Sequence, residues 1–228
     1  MPEPSYAIQW DQTGERYYET GVDRGVLYPL NTTTKKYTPG VAWNGLTSIN
    51  ENPSGAEATA LYADNIKYLE LRSAEQFGMT VEAYTYPDEF AVLDGSASPV
   101  AGVRLGQQKR GVFGMCYRTK IGNDVDGEDL GYLLHLVYGA MCAPSSRNYQ
   151  TINDSPEAIT FSWEVTTTPV SAGATYKPVS TITIDSRTAD ATKLAALEQI
   201  LYGTPASGGT EAVAPELPLP ELVISTMT

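Results

Sequence analysis

Apolar and polar residues alternate along several short stretches of this chain, and a period of two predicts β-strands. The clearest stretches are GMTVEAYTY, residues 78–86, and EAITFSWEV, residues 157–165. The apolar face of the first holds Met79, Val81 and Ala83, and that of the second holds Ile159, Phe161, Trp163 and Val165. Both stretches are expected to bury one face of a sheet.

A longer alternating stretch, residues 57–72, predicts a β-hairpin that extends from the fold. One strand runs to about Ala63, Asp64 and Asn65 form the turn, and a second strand covers residues 66–72. Arms of about ten residues would reach ~30 Å at ~3.3 Å per residue. Strands of that length leave backbone edges without partners, so we expect another surface to cover them.

The remaining strands are short and are separated by turn residues. Val41 and Trp43 are expected to point inward, and Gly45 marks a bulge or a close backbone approach. A strand ending at Pro29 precedes them, and residues 111–120 and 129–143 predict a second hairpin around an acidic turn. Residues 87–95 predict a short helical turn.

One helix is predicted, over residues 188–203. Its apolar stripe consists of Leu194, Leu197, Ile200 and Leu201. Thr188 or Asp190 caps its start, and Gly203 followed by Pro205 ends it. We expect the helix to lie on a sheet face.

The expected organisation is an N-terminal arm (1–23), a β-sandwich or barrel domain (24–203) and a tail rich in Pro and Gly (204–228) that stays outside the core. The fold class is therefore mainly β with a flanking helix near the C-terminus. Tyrosine, with 15 copies against 4 of phenylalanine, supports strands joined by turns.

The net charge and the first residues of the chain argue against several classes of function. The formal net charge of -12 argues against wrapping nucleic acid, because a phosphate-neutralising surface needs excess Lys and Arg. The first residues have neither a basic nor an apolar segment, so we expect synthesis and folding in the cytoplasm without a membrane anchor. Cys116 and Cys142 are then expected as two buried thiols.

No pattern of catalytic or metal-binding residues stands out, so we expect neither an enzyme nor a cofactor. His135 is the single histidine and is expected to be structural. The acidic segment that begins at Asp124 does not place Gly and Glu as a calcium loop requires. A hydrolase using two carboxylates, such as Glu82 and Glu164, remains an alternative on residue types alone.

A basic run precedes the acidic turn and could form a contact surface between copies or a solvated loop. Its members are Arg104, Lys109, Arg110, Arg118 and Lys120, and the acidic turn contributes Asp124 and Asp126. Opposite charges in neighbouring segments could steer one copy toward another. We expect these residues at contacts between subunits or between rings.

Four sequence blocks resemble major tail proteins of long, non-contractile-tailed bacteriophages. They are GVDRGVLYP, GVAWNGLTSINENPSGAEA, LYADNIKYLELRSAEQFGMTVEAYTYPDEF and GQQKRGVFGMCYRTKIGNDVDGEDLGYLLHLVYGAMCAPSSR, and the resemblance covers residues 20–203. It implies a tail-tube subunit. In that family six subunits form a ring, rings stack into a hollow tube, and long hairpins join in an inner barrel between subunits.

The resemblance also implies partners and a location. The subunit would bind its own copies, enclose a tape measure protein, and meet tail terminator and distal tail proteins at the tube ends. It would be assembled in the host cytoplasm and remain in the virion, and DNA would pass without specific binding. A surface β-sandwich binding module is the alternative, although it would need an export signal.

An acidic lumen would let DNA pass, because a cationic wall would hold it. Between Glu51 and Asp94 the chain has nine acidic residues and two basic ones, so we expect this region to line the lumen. The residues expected to face the lumen are Glu70, Thr80, Glu82 and Tyr84.

Overall fold

A computed structural model of the chain describes residues 7–145, 147–152, 154, 157–207 and 211–228. The described residues form a mainly β fold, as predicted. The strands are β1 Tyr18–Pro29, β2 Val41–Ala42, β3 Leu46–Glu51, β4 Ser54–Gly55, β5 Ala58–Ala63, β6 Ile66–Arg72, β7 Glu75–Gln76, β8 Gly78–Ala83, β9 Phe113–Asn123, β10 Gly127–Cys142, β11 Phe161–Thr167 and β12 Thr181–Asp185. The helices are α1 Asp88–Leu93, α2 Ala191–Tyr202 and α3 Pro220–Met227.

The main sheet is antiparallel and has eight strands. Its strand order is β2-β1-β9-β10-β11-β8-β3, with β12 also paired to β10. The first and last strands of this order, β2 and β3, follow one another in the chain, and β3 also contacts β1. Between them Trp43 donates its backbone N–H to the Gly25 carbonyl, at 2.8 Å.

The sheet folds over at Gly139, where β10 changes neighbours. Residues 133–137 of β10 pair with β12, whereas residues 140–142 pair with β11. Gly139 has a φ of 60°, and a Cβ atom there would lie 2.0 Å from the Thr168 carbonyl oxygen. Only glycine fits this position, because the backbone is left-handed and Thr168 is too close for any side chain.

The first core lies inside the curved sheet. The predicted inward residues Met79, Val81 and Ala83 are buried there, opposite Phe113 and Met115 of β9. Aromatic rings fill the space between them: Trp43, Phe90 and Trp163 lie with ring centroids 4.5–5.6 Å apart. The short helix α1 supplies Phe90, so the predicted helical turn closes the core.

The second core lies between the outer face of the sheet and α2. Leu194, Leu197 and Leu201 pack on a face of β10 that includes Leu136, and Ile200 is only partly buried. The Asp190 side chain accepts hydrogen bonds from two backbone N–H groups at the start of α2, and Gly203 follows its last residue. The predicted helix, its cap and its position on a sheet face are confirmed.

Two of the predicted boundaries are wrong. The C-terminal segment is part of the second core, since Leu217 and Val223 are buried and the Tyr138 hydroxyl donates to the Pro218 carbonyl at 2.9 Å. The first part of this segment is extended and proline-rich and packs through isolated side chains such as Leu217, and Pro220–Met227 forms α3, a helix too short to show a clear period. At the other end, β1 begins at Tyr18 rather than after Asp23, and two irregularities in its pairing with β9 interrupt the alternation.

Candidate assembly interface

The β5–β6 hairpin projects from the fold as a two-stranded ribbon, which we call the ribbon (residues 58–72). Its strands pair with one another and, within the described residues, with no other strand. Asp64 and Asn65 have φ values of 50° and 65°, the left-handed conformation that a two-residue hairpin turn requires. The predicted strands and turn are confirmed, and every strand residue except Ala60 is exposed.

The two faces of the ribbon differ in chemistry. The cross-strand pairs Thr59–Leu71 and Leu61–Leu69 lie on one face, and the alternate pairs Ala60–Glu70 and Ala58–Arg72 lie on the other. On this second face Lys67 and Arg72 both contact the Glu70 carboxylate, with an Arg72 Nη2–Oε1 distance of 3.2 Å. The ribbon therefore has an apolar face and a charged face.

Exposed apolar side chains are concentrated on this ribbon. They are Leu61, Tyr62, Ile66, Tyr68, Leu69 and Leu71. Contiguous exposed apolar surface marks an interaction site, and unpaired strand edges are templates for pairing with another chain. The sequence signal for this face is the period-two spacing of Leu69 and Leu71.

The ribbon is shorter than predicted. Its strands have six and seven residues, so each spans ~20 Å at ~3.3 Å per residue, and not ~30 Å. A second short ladder, β4 with β7, joins the ribbon to β3 and β8. The interruption falls at Gly55 and Ala56, which both have positive φ values.

The structure brings together two of the four residues expected at a lumen. Thr80 and Glu82 lie on the face of β8 opposite the first core, where Glu82 accepts a hydrogen bond from Ser48 Oγ at 2.7 Å. Glu164 of β11 lies directly opposite Thr80. Tyr84 follows β8 and is exposed. Glu70 lies apart from them on the ribbon, with its charge compensated by two cations.

The first part of the basic run lies in the long connection between α1 and β9. Arg104 donates to the Tyr86 hydroxyl at 2.9 Å, and Arg110 lies 3.8 Å from the Asp94 carboxylate. Lys109 is exposed and forms no ion pair with the described residues. Of these three cations, only Lys109 has its charge available for a contact with another molecule.

The second part of the basic run lies on β9 and is paired within the chain. Arg118 donates to both oxygens of Asp23, at 2.9 and 3.1 Å, which helps raise the pKa of its guanidinium although burial opposes this. Lys120 lies 3.0 Å from the Glu128 carboxylate. The expectation that these cations serve subunit contacts stays a prediction.

The acidic turn between β9 and β10 holds the N-terminal arm. Asp124 accepts the Gly14 backbone N–H at 2.9 Å, and Asn123 donates to the Gly14 carbonyl at 3.0 Å. Asn123 also donates to Asp126, which fixes the turn. The contact with the arm has no signal in the sequence, because it joins segments about 110 residues apart.

His135 belongs to a polar cluster formed by β9, β10 and the end of β3. Its ring stacks on Tyr117 at 4.6 Å, and its Nε2 lies 3.0 Å from Thr119 Oγ1. Glu51 Oε1 lies 3.7 Å from Nδ1 and accepts the Tyr117 hydroxyl at 2.8 Å. The order hydroxyl, imidazole, carboxylate resembles a catalytic relay, but 3.7 Å is beyond hydrogen-bond range.

The two cysteines are free and buried, as predicted. Burial raises the pKa of each thiol to about 12. Neither sulfur is therefore a thiolate near neutral pH, which is the form that reacts or binds a metal.

Comparison with known proteins does not supply a family: no protein-family model matches the chain, and a search of curated proteins found no match. Among the described residues, no helix has both the length and the apolar character needed to span a membrane.

Proposed function

We propose that this chain is a structural subunit that assembles with its own copies into stacked rings, forming the tail tube of a long, non-contractile-tailed bacteriophage. The observation that carries the proposal is the ribbon, which has two unpaired edges and an exposed apolar face. A soluble subunit that works alone would gain nothing from such an element, and it would risk aggregation.

Ring formation gives the ribbon the partners that it lacks. The free edge of β5 in one copy would pair with the free edge of β6 in the next, and a closed ring of ribbons would have no edge left. The apolar face, with Leu61, Leu69 and Leu71, would turn outward against the surrounding sandwiches. The charged face, on which Glu70 is paired with Lys67 and Arg72, would then line the lumen, and the acidic character of the wall would come from Glu82 and Glu164.

The lumen would let DNA move without holding it. Glu82 and Glu164 form no ion pair with the described residues, so the face of β8 and β11 that carries them stays acidic. Together with the net charge of -12 this supports repulsion between the wall and DNA phosphates. Transit would then depend on weak contacts and not on a binding site.

The finer features of the proposal come from the sequence resemblance. They are six subunits per ring, a tape measure protein inside the tube, terminator and distal tail proteins at its ends, and a location in the virion. Each of these depends first on whether the chain forms rings at all.

The test compares the two faces of the ribbon by negative-stain electron microscopy and sedimentation velocity. Leu69→Asp places a charge on the apolar face and should abolish rings and tubes. Arg72→Gln, on the charged face of the same strand, should leave assembly intact. Neither change should shift the free energy of unfolding of the monomer by more than about 0.5 kcal/mol, because the ribbon is outside both cores.

Rings or tubes from wild-type protein support the proposal. A dispersed wild-type monomer would contradict it and favour the surface binding module. Binding to a glycan array would then test that alternative. Normal tubes from Leu69→Asp would contradict the assigned role of the ribbon.

A further inference from the structure

Residues 7–17, the described part of the N-terminal arm that precedes β1, present a tryptophan to solvent. Trp10 is 74% exposed, and Ile8 beside it is also exposed. The arm is held at Gly14 by Asp124 and Asn123, so Trp10 lies only four residues from a fixed point. An exposed tryptophan next to an anchor is typical of the residues that dominate binding energy at interfaces.

A groove beside β1 offers a site for such a side chain. It has a volume of about 340 Å³ and lies between β1 and the connection from β2 to β3. Its apolar lining comes from Val22, Val26, Ala42, Trp43, Leu46 and Tyr202. The Tyr202 hydroxyl is buried and has no hydrogen-bond partner among the described residues.

The groove carries one uncompensated charge, and it is positive. Asp23 lines the groove, but its carboxylate is bound by Arg118. Arg24 lines it too, with its guanidinium 5.8 Å from the centre of the Tyr202 ring and with no ion pair in the described part of the chain. Arg24 also has a φ of 49°, a strained conformation for a residue with a side chain.

The arm and the groove complement one another. Trp10 is followed by Asp11, whose exposed carboxylate forms no ion pair with the described residues. An indole would fill the apolar groove beneath the Arg24 guanidinium, a favourable cation–π geometry, while Asp11 would pair with Arg24. In the isolated chain Trp10 is exposed and does not occupy the groove.

We propose that the Trp10–Asp11 segment of one copy docks in the β1 groove of a second copy. The two surfaces are different parts of the same molecule, so each copy can donate an arm and accept another. Such head-to-tail contacts either close a ring or continue along an axis. Because the ribbons close the ring in the proposed function, we assign the arm to the contact along the axis. This inference rests on the proposed function, in which it supplies the contact between successive rings.

Trp10 fluorescence gives a direct test. The other two tryptophans, Trp43 and Trp163, are 3% and 1% exposed, so iodide quenching of the wild-type subunit reports Trp10. Quenching should be lost when tubes form. Trp10→Ala should reduce the protein in tubes by at least about tenfold while single rings still form. Tyr176→Ala removes an exposed aromatic side chain elsewhere and should not affect tubes.

A charge exchange identifies the partner of the arm. Asp11→Arg and Arg24→Asp should each reduce stacking, and the double variant should restore it. Tubes of normal length from Trp10→Ala, continued quenching in tubes, or failure of the double variant to recover would overturn this inference alone. Absence of rings in the wild type, or wild-type rings that never stack, would instead overturn the proposed function.

Discussion

At the scale of single residues, His135 shows how burial makes one group sensitive to pH. Its ring is faced by Glu19 of β1, Glu51 of β3 and Tyr117 of β9. Burial lowers the pKa of His135 below its ordinary value of 6.5, and the two carboxylates only partly oppose this. The folded protein therefore favours the neutral imidazole.

This burial predicts a loss of stability in mild acid. The unfolded chain binds the proton more readily, so the contribution of neutral His135 is full above about pH 6.5 and is lost as the pH falls through the lowered folded-state pKa. Urea unfolding between about pH 7.5 and 5.5 should show a steeper decline for the wild type than for His135→Gln. Equal slopes would contradict the prediction.

At the scale of elements, the folded body and the ribbon have separate roles. Two cores hold the sheet, α1, α2 and α3 together, whereas the ribbon contributes no buried side chain. The C-terminal segment belongs to the body, because Leu217 and Val223 complete the second core. Changes in α3 should therefore affect folding, and changes in the ribbon should affect assembly.

Two adjacent residues of α3 provide a matched test of this division. Val223 is 2% exposed and Leu222 is 49% exposed. Val223→Ala should lower the free energy of unfolding by about 1.5–3 kcal/mol, since it removes buried apolar contacts and leaves a cavity. Leu222→Ala should change it by less than about 0.5 kcal/mol. Chemical denaturation measures both, and equal effects would mean that α3 does not pack as described.

At the scale of the whole molecule, most of the predicted basic contact surface is paired within the chain. Arg104, Arg110, Arg118 and Lys120 all contact acidic side chains of the same fold. With a net charge of -12, copies repel one another, so the few available cations matter for association. Lys109 is the member of the run that remains available.

Because Lys109 is the available cation, it allows a direct test of whether the basic run forms contacts between subunits. Reversing both Lys109 and Arg110 to Glu should block tube growth, but Arg110→Glu would also break its contact with Asp94. Lys109→Glu alone should leave the free energy of unfolding within about 0.5 kcal/mol and shorten tubes. Lys177→Glu makes the same charge change at another exposed site and should not. Light scattering during assembly would compare the variants, and identical growth would contradict a contact at Lys109.

The sequence by itself determined the local elements. Three features depend on interactions within a few residues, so the sequence alone predicts them. They are the alternation at Met79, Val81 and Ala83, the Asp64–Asn65 turn and the Asp190 cap. The amphipathic helix α2 is predictable for the same reason. The lumen residues stay predictions, because they depend on a neighbour that the sequence does not specify.

Only the tertiary structure decided which distant segments meet. Three such contacts join residues that lie far apart along the chain or in different strands. They are the packing of Val223 in the second core, the hydrogen bond from Gly14 to Asp124, and the groove between β1 and Trp43. No local pattern encodes such contacts, because their free energy comes from the burial and hydrogen bonding of groups that the folded sheet brings together.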